Sequence, residues 1–176
     1  ALLPVLSKIL EKAIFLQTIE YLETNDLLHP SHHGFRSSHN TCTALIEMYD
    51  QWVDAIENDQ IAAVVLIDMS AAFDVVDYEI LLKKLQLYGF ESTSLDWFKS
   101  YLTDRSQKVY IDGSLSNSLD LEAGVPQGSI LGPLLYVIFT SDLPEYIHSK
   151  SAHNVVHDQD HHQHVQYHLN SVSNIW

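Results

Sequence analysis

The chain has 176 residues, 46% of them apolar, enough for one domain with a real core or for most of one lobe of something larger. Nine Lys and Arg stand against 23 Asp and Glu, a net charge of −14, which excludes the basic footprint of a self-sufficient nucleic-acid-binding module. A lone cysteine, Cys42, excludes a disulfide framework and a Cys-based zinc site, and points to a reducing, intracellular setting.

The chain begins with Ala, and its methionines are Met48 and Met69, so it is read as an internal piece of a longer protein. Lys8, Glu11 and Lys12 interrupt the apolar start, which is therefore no signal peptide, and secretion is not expected. No apolar run approaches the ~18 residues of a membrane helix. After Pro4, the spacing of Leu6, Ile9, Leu10, Ala13 and Ile14 predicts an amphipathic helix from residue 5 to about 23. Asn25 and Asp26 end it, and LLHPSHHGF reads as a loop punctuated by Pro and Gly. A second helix spans about Thr41–Asn58, with Leu45, Met48, Tyr49, Trp52, Val53 and Ile56 as its core stripe.

Ile61–Ile67 is a run of seven apolar residues rich in Val and Ile, the pattern of a strand buried on both faces of a sheet. A helix follows over Tyr78–Tyr88, ending at Gly89, a typical C′ residue. Another covers Ser94–Thr103, with Trp97, Phe98, Tyr101 and Leu102 facing inward. Gln107–Ile111, the turn Asp112–Gly113 and Leu119–Leu121 suggest an irregular hairpin. Gly124–Gly128 is a tight loop, and a buried helix over Ile130–Phe139 stops near Pro144. Helices, a lone strand and a hairpin in this irregular order place the fold in the α+β class. The stretch Lys83–Lys108 is the one locally basic segment.

The apolar run ends at Asp68, and Asp74 and Asp77 follow closely. A carboxylate at the end of a buried strand costs free energy unless it is paired or holds a cation. A strand, a turn and an Asp-capped helix explain the same residues equally well. In Gly124–Ser129, GVPQGS, Gly124 and Gly128 allow close backbone approach, while the Gln127 amide can donate and accept at once. A plain turn accounts for the Gly and Pro but has no use for the Gln.

Taken together, IDMSAAFDVVD (67–77) followed by GVPQGSILGPLLYVIFTSDLP (124–144) resembles the reverse transcriptase domain of non-LTR, LINE-type retrotransposons. The upstream LLPVLSKILEK (2–12) and HHGFRSSHNT (32–41) resemble that family's finger segments, so the likeness runs over most of residues 1–147 in the family's order. It implies a right-hand polymerase-like fingers and palm, incomplete and without a thumb, that extends a primer 3′-hydroxyl on an RNA template with deoxynucleoside triphosphates. Two Mg²⁺ ions stabilise the attacking and leaving oxygens in such phosphoryl transfer. Asp68 matches the family's first metal ligand, with the Met69 carbonyl as a second oxygen. Phe73 matches the aromatic that walls off a ribose 2′-hydroxyl, although packing beside Ala71 and Ala72 also explains it. By the same resemblance Gln127 and Gly128 lie against the incoming nucleotide. Arg36 matches a finger arginine whose planar fork suits the triphosphate; otherwise it is a surface cation. The family usually carries Gln near His32, where this chain departs.

The family's third segment, an aromatic-Ala-Asp-Asp turn, has no full counterpart in AHNVVHDQDHHQHVQYHLN (152–170). The nearest register places Val156-His157-Asp158-Gln159 on it, making Asp158 the second metal ligand. Asp160, on the same strand face as Asp158, is the alternative. Either way one carboxylate is displaced, so the chain by itself is expected to extend primers feebly or not at all, the thumb and an endonuclease region belonging to the rest of the protein. Residues 148–176 read as a His-rich degenerate or disordered tail. Within it, His157, His161, His164 and His168 are spaced to share a helix face and could bind Zn²⁺ or Ni²⁺. A decayed segment of biased composition is the plainer account. On that account the chain is an inactive relic that serves, if at all, as a protein- or metal-binding module.

Overall fold

In the computed structural model, the structure describes residues 4–64, 69–146 and 165–167. Helices and short strands are mixed, as expected for an α+β chain. They fall into two compact units, Ala1–Leu27 with Ala71–Phe139, and Leu28–Ser70 with Thr140–Trp176.

The first unit contains α1 (Val5–Thr24), α3 (Tyr78–Leu87), α4 (Thr93–Leu102) and α5 (Gly132–Phe139). Its centre is α5, GPLLYVIF, whose Leu134, Leu135, Tyr136, Val137 and Ile138 are all buried. A helix apolar on every side must be enclosed, and α3 lies against it with Leu81 and Leu85. Pro133 sits in the first turn, where its missing N–H is not needed. At the other end the Lys84 ammonium donates to the Phe139 carbonyl, a cation at a helix C-terminus. Asp77 caps α3, its Oδ1 accepting the Ile80 N–H at 2.9 Å. Gly89 closes α3 at φ +89°, and the Tyr21 hydroxyl donates to the neighbouring Tyr88 carbonyl at 3.0 Å. Between α4 and α5 one hairpin nests in another. Strands β2 (Arg105–Gln107) and β5 (Leu119–Leu121) pair antiparallel, and β3 (Tyr110–Ile111) pairs with β4 (Ser114–Leu115) inside them. Asp112 and Gly113 both have positive φ, as a two-residue primed turn requires.

The expected stripe of α1 does not face the core: Leu6 is 80% exposed, and Val5, Ile9 and Leu10 are exposed with it. Glu11, Thr18 and Leu22 face inward instead. The reason is that Glu11 has a backbone donor to meet, while no element among the described residues of the unit covers the apolar side.

The second unit holds α2 (Thr41–Glu57), β1 (Ile61–Ala63) and β6 (Val165–Tyr167). A capping box starts α2: the Asn40 side chain accepts the Thr43 N–H at 3.1 Å and the Asn40 N–H donates to Thr43 Oγ1 at 2.9 Å. The anticipated stripe of α2 is split, with Met48 buried and Trp52 and Val53 half-buried. Ala44, Met48 and Ala55 are buried, whereas Tyr49 is 63% exposed and Leu45 and Ile56 are exposed. Strand β1 pairs parallel with β6, Ile61 against Val165. Of the expected strand Ile61–Ile67, residues 65–67 fall outside the described ones; Ile61 is 50% exposed, more open than a strand buried on both faces. Val165–Tyr167 run as strand, where successive residues alternate sides; the helical face drawn through His157, His161, His164 and His168 falls outside the described residues.

The loop before α2 is built on histidines. His33 Nε2 meets Glu47 Oε2 at 2.7 Å and its Nδ1 meets Thr43 Oγ1 at 3.0 Å. His32 is 4% exposed, and neither of its ring nitrogens has a hydrogen-bond partner. Burial lowers its pKa to about 4, with His29, Arg36 and His33 pushing the same way. Between pH 6.5 and about 4 the unfolded chain therefore binds a proton that the fold refuses. Stability contributed by neutral His32 is complete above pH 6.5 and is lost as pH falls through that window. The loss should be on the order of 3 kcal/mol. Urea unfolding at pH 7 and pH 4.5, followed by circular dichroism, should show it, and His32→Leu should flatten much of the difference.

Candidate functional site

Within the first unit, the segment after the expected metal strand is joined to the glycine-rich loop by backbone. The Val125 N–H donates to the Phe73 carbonyl at 2.8 Å, and the Gly124 N–H donates to the Val76 carbonyl at 2.9 Å. The buried Tyr78 hydroxyl adds a third link, donating to the Gly124 carbonyl at 3.0 Å. Burial pushes the Tyr78 pKa up, with Arg105 opposing, so the hydroxyl stays a donor. Such close passage requires glycine: a Cβ on Gly124, at φ +88°, would lie 2.9 Å from both the Asp74 Cα and its carbonyl oxygen.

This pairing brings Phe73 and Gln127 to one place. Asp74 accepts from Gln127 Nε2, with Oδ1 at 3.3 Å and Oδ2 at 3.4 Å. Gln127 and Gly128 are both exposed, the latter at φ +80°. With Nε2 turned to Asp74, the Gln127 carbonyl oxygen is the end of the amide left to accept from a ligand. Phe73 is half-buried and packs on Tyr136 of α5, ring centroids 5.2 Å apart. One side of its ring is thus core and the rest reaches the surface. Burial also raises the Tyr136 pKa.

Beyond Gly128 the loop turns into α5. Ser129 N–H donates to the Pro126 carbonyl at 3.1 Å, and Ser129 Oγ accepts the Gly132 N–H at 2.9 Å. Ile130 N–H donates to Glu11 Oε2 at 2.7 Å. The Tyr101 hydroxyl nearby is buried without a hydrogen-bond partner. Its pKa is pushed up to about 12, chiefly by burial, with Ser129 opposing and the Glu11 charge adding.

Of the other expected site residues, Asp68, Asp158 and Asp160 lie outside the described residues, as do His157, His161, His164 and His168. Met69 is half-buried and belongs to the second unit. So does Arg36, whose Nη1 donates to the carbonyls of His29 at 3.1 Å and His32 at 3.4 Å. Those bonds tie the guanidinium to its own loop, and its buried Nε has no hydrogen-bond partner. Among the described residues no group of three or more His, Cys, Asp or Glu could hold a metal ion. Nor is any helix among them long and apolar enough to cross a membrane. Asp74 and Glu11 were missed as site residues by sequence reasoning. Asp74 looks like one more cap beside Asp77. Glu11 looks like a solvent charge, although it shares a helix face with Thr18 and Leu22, seven and eleven positions on.

A family model described as "Reverse transcriptase (RNA-dependent DNA polymerase)" matches residues 1–168. The chain is similar to the probable RNA-directed DNA polymerase from transposon BS of Drosophila melanogaster, 36% identical over 144 residues. It is likewise similar to the RNA-directed DNA polymerase from mobile element jockey of the same fly, 35% identical over 146 residues. These matches take in 82% and 83% of this chain and 16% of each relative's length. A match to the probable RNA-directed DNA polymerase from transposon X-element, 31% identical, has the same extent.

The backbone pairing predicts a sharp contrast between two glycines. Gly124→Ala should destabilise the first unit by about 2–4 kcal/mol, since both its φ and its neighbour's backbone oppose a Cβ. Gly113→Ala, with positive φ but open space around it, should cost about 1 kcal/mol. Urea titrations of the two variants read the difference.

Proposed function

This chain belongs to the reverse transcriptase (RNA-dependent DNA polymerase) family, and from that premise we propose that residues 1–147 form fingers and palm of an RNA-directed DNA polymerase of a non-LTR retroelement. The fold assigned to that segment is the right-hand polymerase one, without a thumb, and residues 148–176 follow it as a tail. The observation that carries this reading is the backbone pairing of Phe73–Val76 with Gly124–Val125. It brings Phe73 and Gln127 to one place, which supports reading the first as a screen of the sugar and the second as a contact to the nucleotide.

In this reading Phe73, braced by Tyr136, occupies the space of a ribose 2′-hydroxyl and so selects deoxynucleotides. Gln127, with its amide nitrogen engaged by Asp74, presents its carbonyl oxygen to the nucleotide, and Gly128 lets backbone approach it. Arg36 contributes positive charge toward the triphosphate from the finger loop. Asp68, the Met69 carbonyl and Asp158 or Asp160 are the groups assigned to hold two Mg²⁺ ions. Such ions, when bound, stabilise charge on the attacking and leaving oxygens. With a charge of −14, the segment relies on other parts of the protein to grip template and primer.

The test is an exchange: residues 1–147 replace the corresponding segment of the jockey polymerase, which keeps that protein's own third motif and flanking regions. Primer extension on an RNA template should survive the exchange. Asp68→Asn should then lower it by about 10²-fold or more, and Phe73→Ala should admit ribonucleotides. Extension indifferent to Asp68→Asn would overturn the proposal.

A further inference from the structure

Glu11 is 2% exposed, yet no basic side chain pairs with it among the described residues. Ser7 Oγ donates to its Oε1 at 3.2 Å, and Ile130 N–H to its Oε2 at 2.7 Å. Enclosing a carboxylate costs several kcal/mol unless fixed dipoles replace the lost water. If a single N–H were all that needed an acceptor, a neutral amide would serve at less cost. The charge makes sense at this position because Ile130 lies just before α5, whose N-terminal peptide dipoles favour an anion. The short contact is that of a charge-assisted bond.

The place where Glu11 holds the chain matters more. The Gly124–Ile130 loop is fastened at its entrance by the Phe73 and Val76 carbonyls and at its exit by Glu11. Gln127 and Gly128 lie between these two anchors and carry no backbone bond to the rest of the unit among those observed. Their backbone is therefore held through the two ends and the Pro126–Ser129 turn, with the Gln127 side chain steadied by Asp74. We infer that Glu11 is a positioning residue: from helix α1 its carboxylate pins Ile130, and through it holds the Gln127–Gly128 span in the shape that meets the incoming nucleotide. The inference rests on the polymerase reading above and assigns the N-terminal helix a role in nucleotide affinity rather than in packing alone.

Two measurements separate this inference from the reading beneath it. On the chain itself, hydrogen exchange of peptides covering residues 126–132 should quicken at least tenfold in Glu11→Ala. A smaller, intermediate change is expected in Glu11→Gln, which retains an acceptor of the same size. In the jockey exchange, the same variants should raise the KM for deoxynucleotides about tenfold for Ala and less for Gln. The kcat should change little, the signature of lost binding shared by the ground and transition states. If Glu11→Ala fails to fold, Glu11→Gln decides alone. Unchanged exchange at 126–132, or a fall in kcat at constant KM that tracks the folded fraction, would reduce Glu11 to a structural residue and overturn the inference. An exchange protein that does not extend primers at all would instead strike the polymerase reading, with the hydrogen-exchange result still deciding the anchor.

Discussion

Two backbone hydrogen bonds, Val125 to Phe73 and Gly124 to Val76, are the constraint on which the site depends. They join segments that lie far apart in sequence, so the closure entropy of the intervening chain is met by few direct bonds and much surrounding packing. Once they form, the neighbouring contacts follow from them. Asp74 comes within reach of Gln127, Tyr78 within reach of Gly124, and Phe73 within reach of Tyr136. The same closeness admits no side chain at 124, which explains a glycine there in terms of space as well as conformation.

Helix α5 supplies the packing. It is apolar on all sides and enclosed, and burying five large side chains of this kind contributes on the order of 10 kcal/mol before entropy is counted. Its polar ends are met by single charges of the favourable sign, Glu11 before the first turn and Lys84 at the last carbonyl. In a chain so acidic overall, a lysine committed to a helix C-terminus and a glutamate committed to an N-terminus show that local dipoles, not net charge, decide where charges are enclosed.

The loop before α2 in the second unit follows a different logic. Its histidines and arginine bond largely to one another's backbone and to α2, and the cost appears as unpaired nitrogens on His32 and Arg36. A neutral His32 is the condition for that arrangement, so the loop is coupled to pH through a group that titrates near neutrality when unfolded.

Local patterns in the sequence were enough to find the helices and the turn. Capping by Asp, the Gly89 stop, the Asp112–Gly113 turn and the all-apolar run of α5 each depend on neighbours within a few residues. The resemblance carried by 67–77 and 124–144 was legible for the same reason, because a motif is a local string. Which face of α1 and α2 turns inward was not. The apolar spacing favoured Leu6 and Tyr49, while the fold buried Glu11 and Ala44, because the decision rests on what each helix meets in space. The partnership of Asp74 with Gln127, and of Glu11 with Ile130, was hidden in the same way. Hydrogen bonds between residues distant in the chain leave no periodicity behind, and only the folded backbone brings their donors and acceptors within 3 Å or so of each other.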